Sequence, residues 1–169
     1  MDMIVALNLQ NSFLDKSGSV YMGEKAEILK VRLKDYFSGM SCPKVFVRET
    51  HAKQDDFFIT DKTHSVVTTP DHEIHIDLKK YVDLKENKSR YCALYKTKLE
   101  SQLQNHKTKT VFLVGLETHT SVLFTANSLR NRGYEVIVVE PCVMSREDYL
   151  HGAAIDIMRN ALGVRVTDG

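Results

Sequence analysis

Apolar positions along the chain follow two alternating rhythms. Met3–Leu9 is a short apolar run, the pattern of a buried strand. Glu24–Ser38 then carries Ala26, Leu29, Leu33 and Phe37 at helical spacing, and Lys44–Arg48 returns to a strand pattern. Leu94–His106 reads as a helix with a polar face, and Thr110–Val114 as a strand ended by Gly115. Ser121–Asn131 places Val122, Ala126 and Leu129 on one side of a helix, with Gly133 as its C-terminal stop. Glu135–Val139 is the most β-branched run, Arg146–Ala161 repeats Tyr149, Ala153, Ile157 and Ala161, and Val164–Thr167 is a last strand.

Strand patterns that are apolar on both faces, alternating with helices, predict an α/β fold: a doubly wound, mostly parallel sheet of about six strands with helices on both sides. Prolines and glycines do not cluster, and no repeat or low-complexity tract appears, so residues 1–169 read as one domain. In such sheets ligands bind beyond the carboxyl ends of the strands. That rule selects 8–13, 49–51, 88–91, 115–121 and 140–145. The irregular stretch 49–83 has the length of a functional loop over such a site.

Composition narrows the function classes. With 23 Lys and Arg against 22 Asp and Glu, the net charge is +1, and no basic arm marks a nucleic-acid partner. No apolar run approaches the ~18 residues of a membrane span. Met1–Met3 leads straight into a strand pattern without the marks of a signal peptide. Three widely spaced cysteines, Cys42, Cys92 and Cys142, fit a reducing cytoplasm better than a disulfide framework.

Three segments carry a more specific signal. Val5–Phe13 reads VALNLQNSF, Val82–Leu103 reads VDLKENKSRYCALYKTKLESQL, and Val111–Glu147 reads VFLVGLETHTSVLFTANSLRNRGYEVIVVEPCVMSRE. In this order they resemble the isochorismatase-like cysteine hydrolases, relatives of nicotinamidases and N-carbamoylsarcosine amidases. The resemblance implies a three-layer α/β/α fold and an oligomer, here a homo-oligomer. It also implies a triad of Asp, Lys and Cys acting on an amide-like carbon. An oxyanion hole is implied in the loop of Leu116, Glu117 and Thr120, with a cis peptide at Leu116–Glu117. Gln10, Phe13 and Tyr91 fall where substrate would be touched.

Carried across by position, the triad reads Asn8, Lys88 and Ser121. Asn has no proton to exchange near neutral pH, and Ser is a weak nucleophile without an adjacent base. The chain therefore reads as a hydrolase homologue that is weak or inactive as a cysteine hydrolase. Two alternatives stand beside it. One is an active hydrolase of a small amide-like substrate, using Ser121 with a neutral, desolvated Lys88. The other is an oligomeric interaction protein whose pocket is filled by side chains such as Tyr91 or Phe13. Ser121 also has a helix-capping role open to it. If chemistry alone was lost, Asn8→Asp with Ser121→Cys should produce a reactive thiol.

His119, two residues before Ser121, reads as a surface-loop residue, and Cys92 and Cys142 as packing. Glu49, His51, Asp55 and His64 fall where nicotinamidase-type members gather metal ligands, and His with carboxylate suits zinc or iron. Most of the family has no metal, so the expectation is no metal and no cofactor, with a small-molecule ligand as the partner.

Overall fold

In the computed structural model, which describes residues 1–59 and 61–169, the apolar runs form one parallel sheet. Its strands are β1 (Asp2–Leu7), β2 (Lys44–Glu49), β3 (Leu84–Lys88), β4 (Thr110–Leu116), β5 (Glu135–Met144) and β6 (Arg165–Thr167). Their order is β3-β2-β1-β4-β5-β6. The helices are α1 (Asn11–Leu14), α2 (Glu24–Gly39), α3 (Leu99–Asn105), α4 (Leu123–Arg130) and α5 (Asp148–Asn160).

Alternation along β1 sorts the core into two layers. Met3, Val5 and Leu7 join Leu99 and Leu103 of α3, Ala126 and Leu129 of α4, and Ile155 and Met158 of α5. Ile4 and Ala6 point the other way, to Ala26, Leu29, Leu33 and Phe37 of α2 and to Leu78 of the long loop. Both faces of the sheet are thus covered, which is why its central strands carry runs that are apolar on both faces.

Besides the unanticipated α1 and the run of β4 past Gly115 to Leu116, three elements differ from the reading of the sequence. The sixth strand, β3, is the polar segment LKENK on the sheet edge, with alternate residues exposed, so no apolar run announced it. The third helix starts at Leu99 rather than Leu94. β5 continues past Val139 to Met144 through Pro141, where its register against β4 shifts, an irregularity that accommodates a proline.

Two local features shape the sheet's carboxyl edge. Gly115 has φ +111, and a Cβ there would collide with the main chain of Leu7, so only glycine allows β4 to lie this close to β1. Asn8, just beyond β1, has φ 58, a left-handed conformation that Asn tolerates better than most side chains. The order reverses around β1, whose neighbours are β2 and β4, and the site lies at that switch point. Within the 49–83 stretch, 3-10 turns at Asp56–Ile59, Pro70–His72 and Ile76–Tyr81 fold the loop down over the same edge.

Candidate functional site

Four strand ends supply the central side chains. Asn8 follows β1, Glu49 ends β2, Lys88 ends β3, and Ser121 lies in a π-helical turn, Thr118–Val122, between β4 and α4. All four are almost wholly buried.

Glu49 is the hub. Its Oε2 accepts from Asn8 Nδ2 at 2.8 Å and from Lys88 Nζ at 3.3 Å. Its Oε1 lies 3.0 Å from His51 Nε2 and 3.1 Å from His64 Nε2. Burial alone would raise its pKa, but the Lys88 charge and the two histidines prevail and hold the carboxyl well below the usual range. Burial pushes Lys88 down, while Glu49 opposes that shift. The sequence reading gave Lys88 no carboxylate partner because it looked only at position 8; Glu49 is that partner.

Asn8 Nδ2 also donates to Ser121 Oγ at 3.1 Å, so both amide protons are engaged. Reversing the amide would set its oxygen against the Glu49 carboxylate, so this orientation is fixed by the neighbour. It leaves Asn8 Oδ1 buried without a hydrogen-bond partner. The hydrogen bond of Lys88 goes to Glu49, not to Ser121, so the Ser–Lys arrangement is not assembled. Nor does Ser121 cap a helix, since neither the π-helical turn nor α4 has a side-chain cap bond.

The histidine side is braced from outside. His51 Nδ1 bonds Asp55 Oδ2 at 3.0 Å, and His64 Nδ1 bonds the Lys62 carbonyl at 2.6 Å. A carbonyl only accepts, so His64 Nδ1 carries a proton, and the ionised Asp55 makes the same demand of His51. Asp55 is held ionised by the His51 hydrogen bond and the Phe57 amide. In their neutral forms both rings then turn Nε2 lone pairs on Glu49 Oε1. That arrangement calls for a further cation, such as a proton on His64 or one metal ion. His64 follows this logic: burial acts to lower its pKa, but the bond to Glu49 prevails and raises it.

The ligand atoms of Glu49, His51 and His64 lie within 4.8 Å of one another. The donor set fits a divalent cation, with Asp55 and the Lys62 carbonyl orienting the rings from behind. Of the four candidate ligands read from the sequence, Glu49, His51 and His64 come together. Asp55 belongs to the bracing of His51 and not to the ligand set.

A cavity of about 500 Å³ opens onto this cluster, lined by Asn8, Glu49, His64, Phe13, Tyr91, Glu117 and Thr120. Phe13 and Tyr91 are therefore walls, and they do not fill it. Gln10, expected at the ligand, is instead completely buried. Its amide accepts from Glu49 N–H at 2.7 Å and donates to the carbonyls of Glu49 at 2.9 Å and His72 at 2.8 Å. It fixes the main chain that carries Glu49. Leu116 is buried in the core, and the Leu116–Glu117 peptide is cis. The Thr120 amide donates to the Glu117 carbonyl at 3.2 Å within the turn, so it is not a free donor.

The remaining candidates lie off the cavity. His119 Nδ1 pairs with Ser145 Oγ at 2.8 Å, which makes it a half-buried strut and not a loop surface residue. Cys92 packs against the core beside α3 and α4, and Cys142 is buried, its thiol pushed up to about 12 by desolvation. Sequence reasoning missed Tyr21, Asp61, Lys62 and Arg146, which also line the cavity. Arg146 was one residue past the window drawn after the fifth strand. Its guanidinium reaches the carbonyls of Val20 at 2.8 Å and Tyr21 at 3.3 Å, which pins the loop after α1 to the rim.

Comparison with known proteins agrees with this architecture. The structure superimposes on nicotinamidase PncA from Bacillus subtilis with a TM-score of 0.87 at 25% identity, covering 99% of each chain. It superimposes on N-carbamoylsarcosine amidase from Thermoplasma acidophilum with a TM-score of 0.83 at 23% identity, covering 99% of each. In sequence it is 29% identical to the uncharacterized isochorismatase family protein YaaI of Bacillus subtilis (strain 168) over 80 residues, 47% of this chain and 44% of that one. The isochorismatase domain model matches residues 2–169, and the chain belongs to the isochorismatase family.

Proposed function

We propose that this chain is a small-molecule-binding member of the isochorismatase family in which hydrolysis by the triad route is weak or lost. The carrying observation is the amide of Asn8, whose two protons go to Glu49 and Ser121. Ser121 Oγ thus receives a hydrogen bond where a nucleophile would need a group to take its proton. The carboxylate bonded to Asn8, Glu49, is engaged by Lys88, Asn8 and two histidines.

The chain's own residues favour binding. Phe13 and Tyr91 offer aromatic walls, and His64 and Glu49 present the edge of the metal-ligand cluster. Glu49, His51 and His64 would hold Zn²⁺ or Fe²⁺, and such an ion supplies Lewis-acid polarisation of a ligand nitrogen or oxygen. The open cavity counts against a pure interaction protein with a filled site. The engagement of Lys88 by Glu49 counts against a Ser–Lys hydrolase. A cytoplasmic homo-oligomer completes the proposal, and light scattering on the eluting protein checks the oligomer.

Zinc-loaded protein should bind nicotinamide, pyrazinamide or N-carbamoylsarcosine saturably by calorimetry, without releasing ammonia. The panel follows from the structural relatives, one of which is a nicotinamidase/pyrazinamidase PncA from Bacillus subtilis. Multiple turnover that Ser121→Ala abolishes would overturn the proposal.

A further inference from the structure

One buried carboxylate serves two neighbours on adjacent strands, and this bears on why position 8 is an amide. We propose that positions 8 and 49 form an exchangeable amide–carboxylate pair. In it Glu49 is the positioning residue for Lys88 directly and for Ser121 through Asn8. The inference goes beyond the binding proposal and does not depend on a metal.

The argument starts from Lys88. Its side chain is fully buried, so it needs a counter-ion, and Glu49 Oε2 at 3.3 Å is its ion-pair partner. Asn8 Nδ2 lies 2.8 Å from that same oxygen. Asp in place of Asn8 would exchange this donor for an acceptor and set two carboxylate oxygens at hydrogen-bond distance. An amide at position 8 suits a Glu49 carboxylate at this distance, where an ionised Asp would be repelled unless the two shared a proton. Because a carboxylate only accepts, Glu49 also dictates which way the Asn8 amide faces. The second Nδ2 proton carries that choice on to Ser121 Oγ at 3.1 Å. The charge at position 49 in this way sets the hydrogen-bond polarity at position 121.

A consequence follows for restoring the expected triad. Asn8→Asp with Ser121→Cys is not enough, because the carboxylate at 49 opposes the new one. The carboxylate has to be moved, by Asn8→Asp together with Glu49→Gln.

The test is a double-mutant cycle on the full chain, read by thermal midpoint with and without Zn²⁺. Each single change, Asn8→Asp and Glu49→Gln, should lower the midpoint by about 5 °C or more, and the double variant should recover to within about 3 °C of the parent. NMR of side-chain amides supplies a readout that packing alone would not move. The Asn8 amide protons should exchange slowly in the wild type. In the double variant the amide introduced by Glu49→Gln should exchange slowly in their place. Additive midpoints, or a double variant that does not fold, would overturn the proposal. If Glu49→Gln alone fails to fold, the wild-type spectrum still decides: an Asn8 amide exchanging as fast as that of exposed Asn131 would overturn it. Failure of Zn²⁺ to bind, with coupling intact, would overturn only the metal assignment.

Discussion

The two sides of the cavity differ in what they retain. On the β1–β4 side, Asn8 and Ser121 bond each other, and the sole link of Asn8 to a charged group is through an amide proton. On the β2–loop side, Glu49, His51 and His64 converge, and Asp55 and the Lys62 carbonyl orient both rings. One side lacks a base for its hydroxyl, while the other has a ligand set with its supporting contacts in place. On the proposed reading the nucleophile side is disarmed while the ligand set beside it stays built, because different residues on different strands hold each.

The comparison can be broken most forcefully at Lys88. Lys88→Met leaves Glu49 buried without its cation, and unfolding in urea should register a loss of about 3–5 kcal/mol. A loss under 1 kcal/mol would mean that the pair is not what holds the two sides together. His64→Ala removes a ligand from the built side, and equilibrium dialysis should show Zn²⁺ affinity falling more than about a hundredfold, beyond the 10–100-fold range of supporting contacts. Asp55→Asn removes only the brace behind His51, so about a tenfold loss is expected in the same assay. Ser121→Ala, on the disarmed side, should change Zn²⁺ affinity less than about twofold and stability by under about 1 kcal/mol.

The smallest effect is in the pH dependence of stability, where the histidines also divide. Burial lowers the pKa values of His72, His75 and His151, all outside the cluster. Below the unfolded value of about 6.5 the unfolded chain takes up protons that these folded residues refuse, so their stability contribution falls as pH falls. His64 has the opposite sign. Its raised pKa gives stability that is fully present below about 6.5 and is lost as pH rises through the folded value. Urea midpoints from pH 7.5 to 5.5 should decline below about 6.5 in the wild type. In His72→Gln that decline should be shallower.

The fold was legible because five of the six strands carried an apolar run, in β1, β2, β4 and β5 from burial on both sheet faces and in the edge strand β6 only through the run that begins at buried Val164. β3 did not, since an edge strand with exposed alternate residues has no such constraint. The resemblance gave Asn8, Lys88 and Ser121 their places at strand ends, where the structure gathers them. It could not give Glu49 its role. That role depends on one carboxylate reaching across from β2 to both β1 and β3, a through-space fact without a sequence period. Gln10 was misread for a similar reason, since a polar residue beside a site looks the same in sequence whether it faces the ligand or braces a main chain. The Glu49–His51–His64 cluster was visible as residue types, but only the directions of the ring nitrogens distinguish a ligand set from ordinary buried histidines.

The most direct measurement of the central claim is ammonia release by zinc-loaded wild type and Ser121→Ala, side by side, on nicotinamide, pyrazinamide and N-carbamoylsarcosine. Both proteins should bind saturably and release ammonia equally, at background level. Multiple turnover by the wild type that disappears in Ser121→Ala would contradict it.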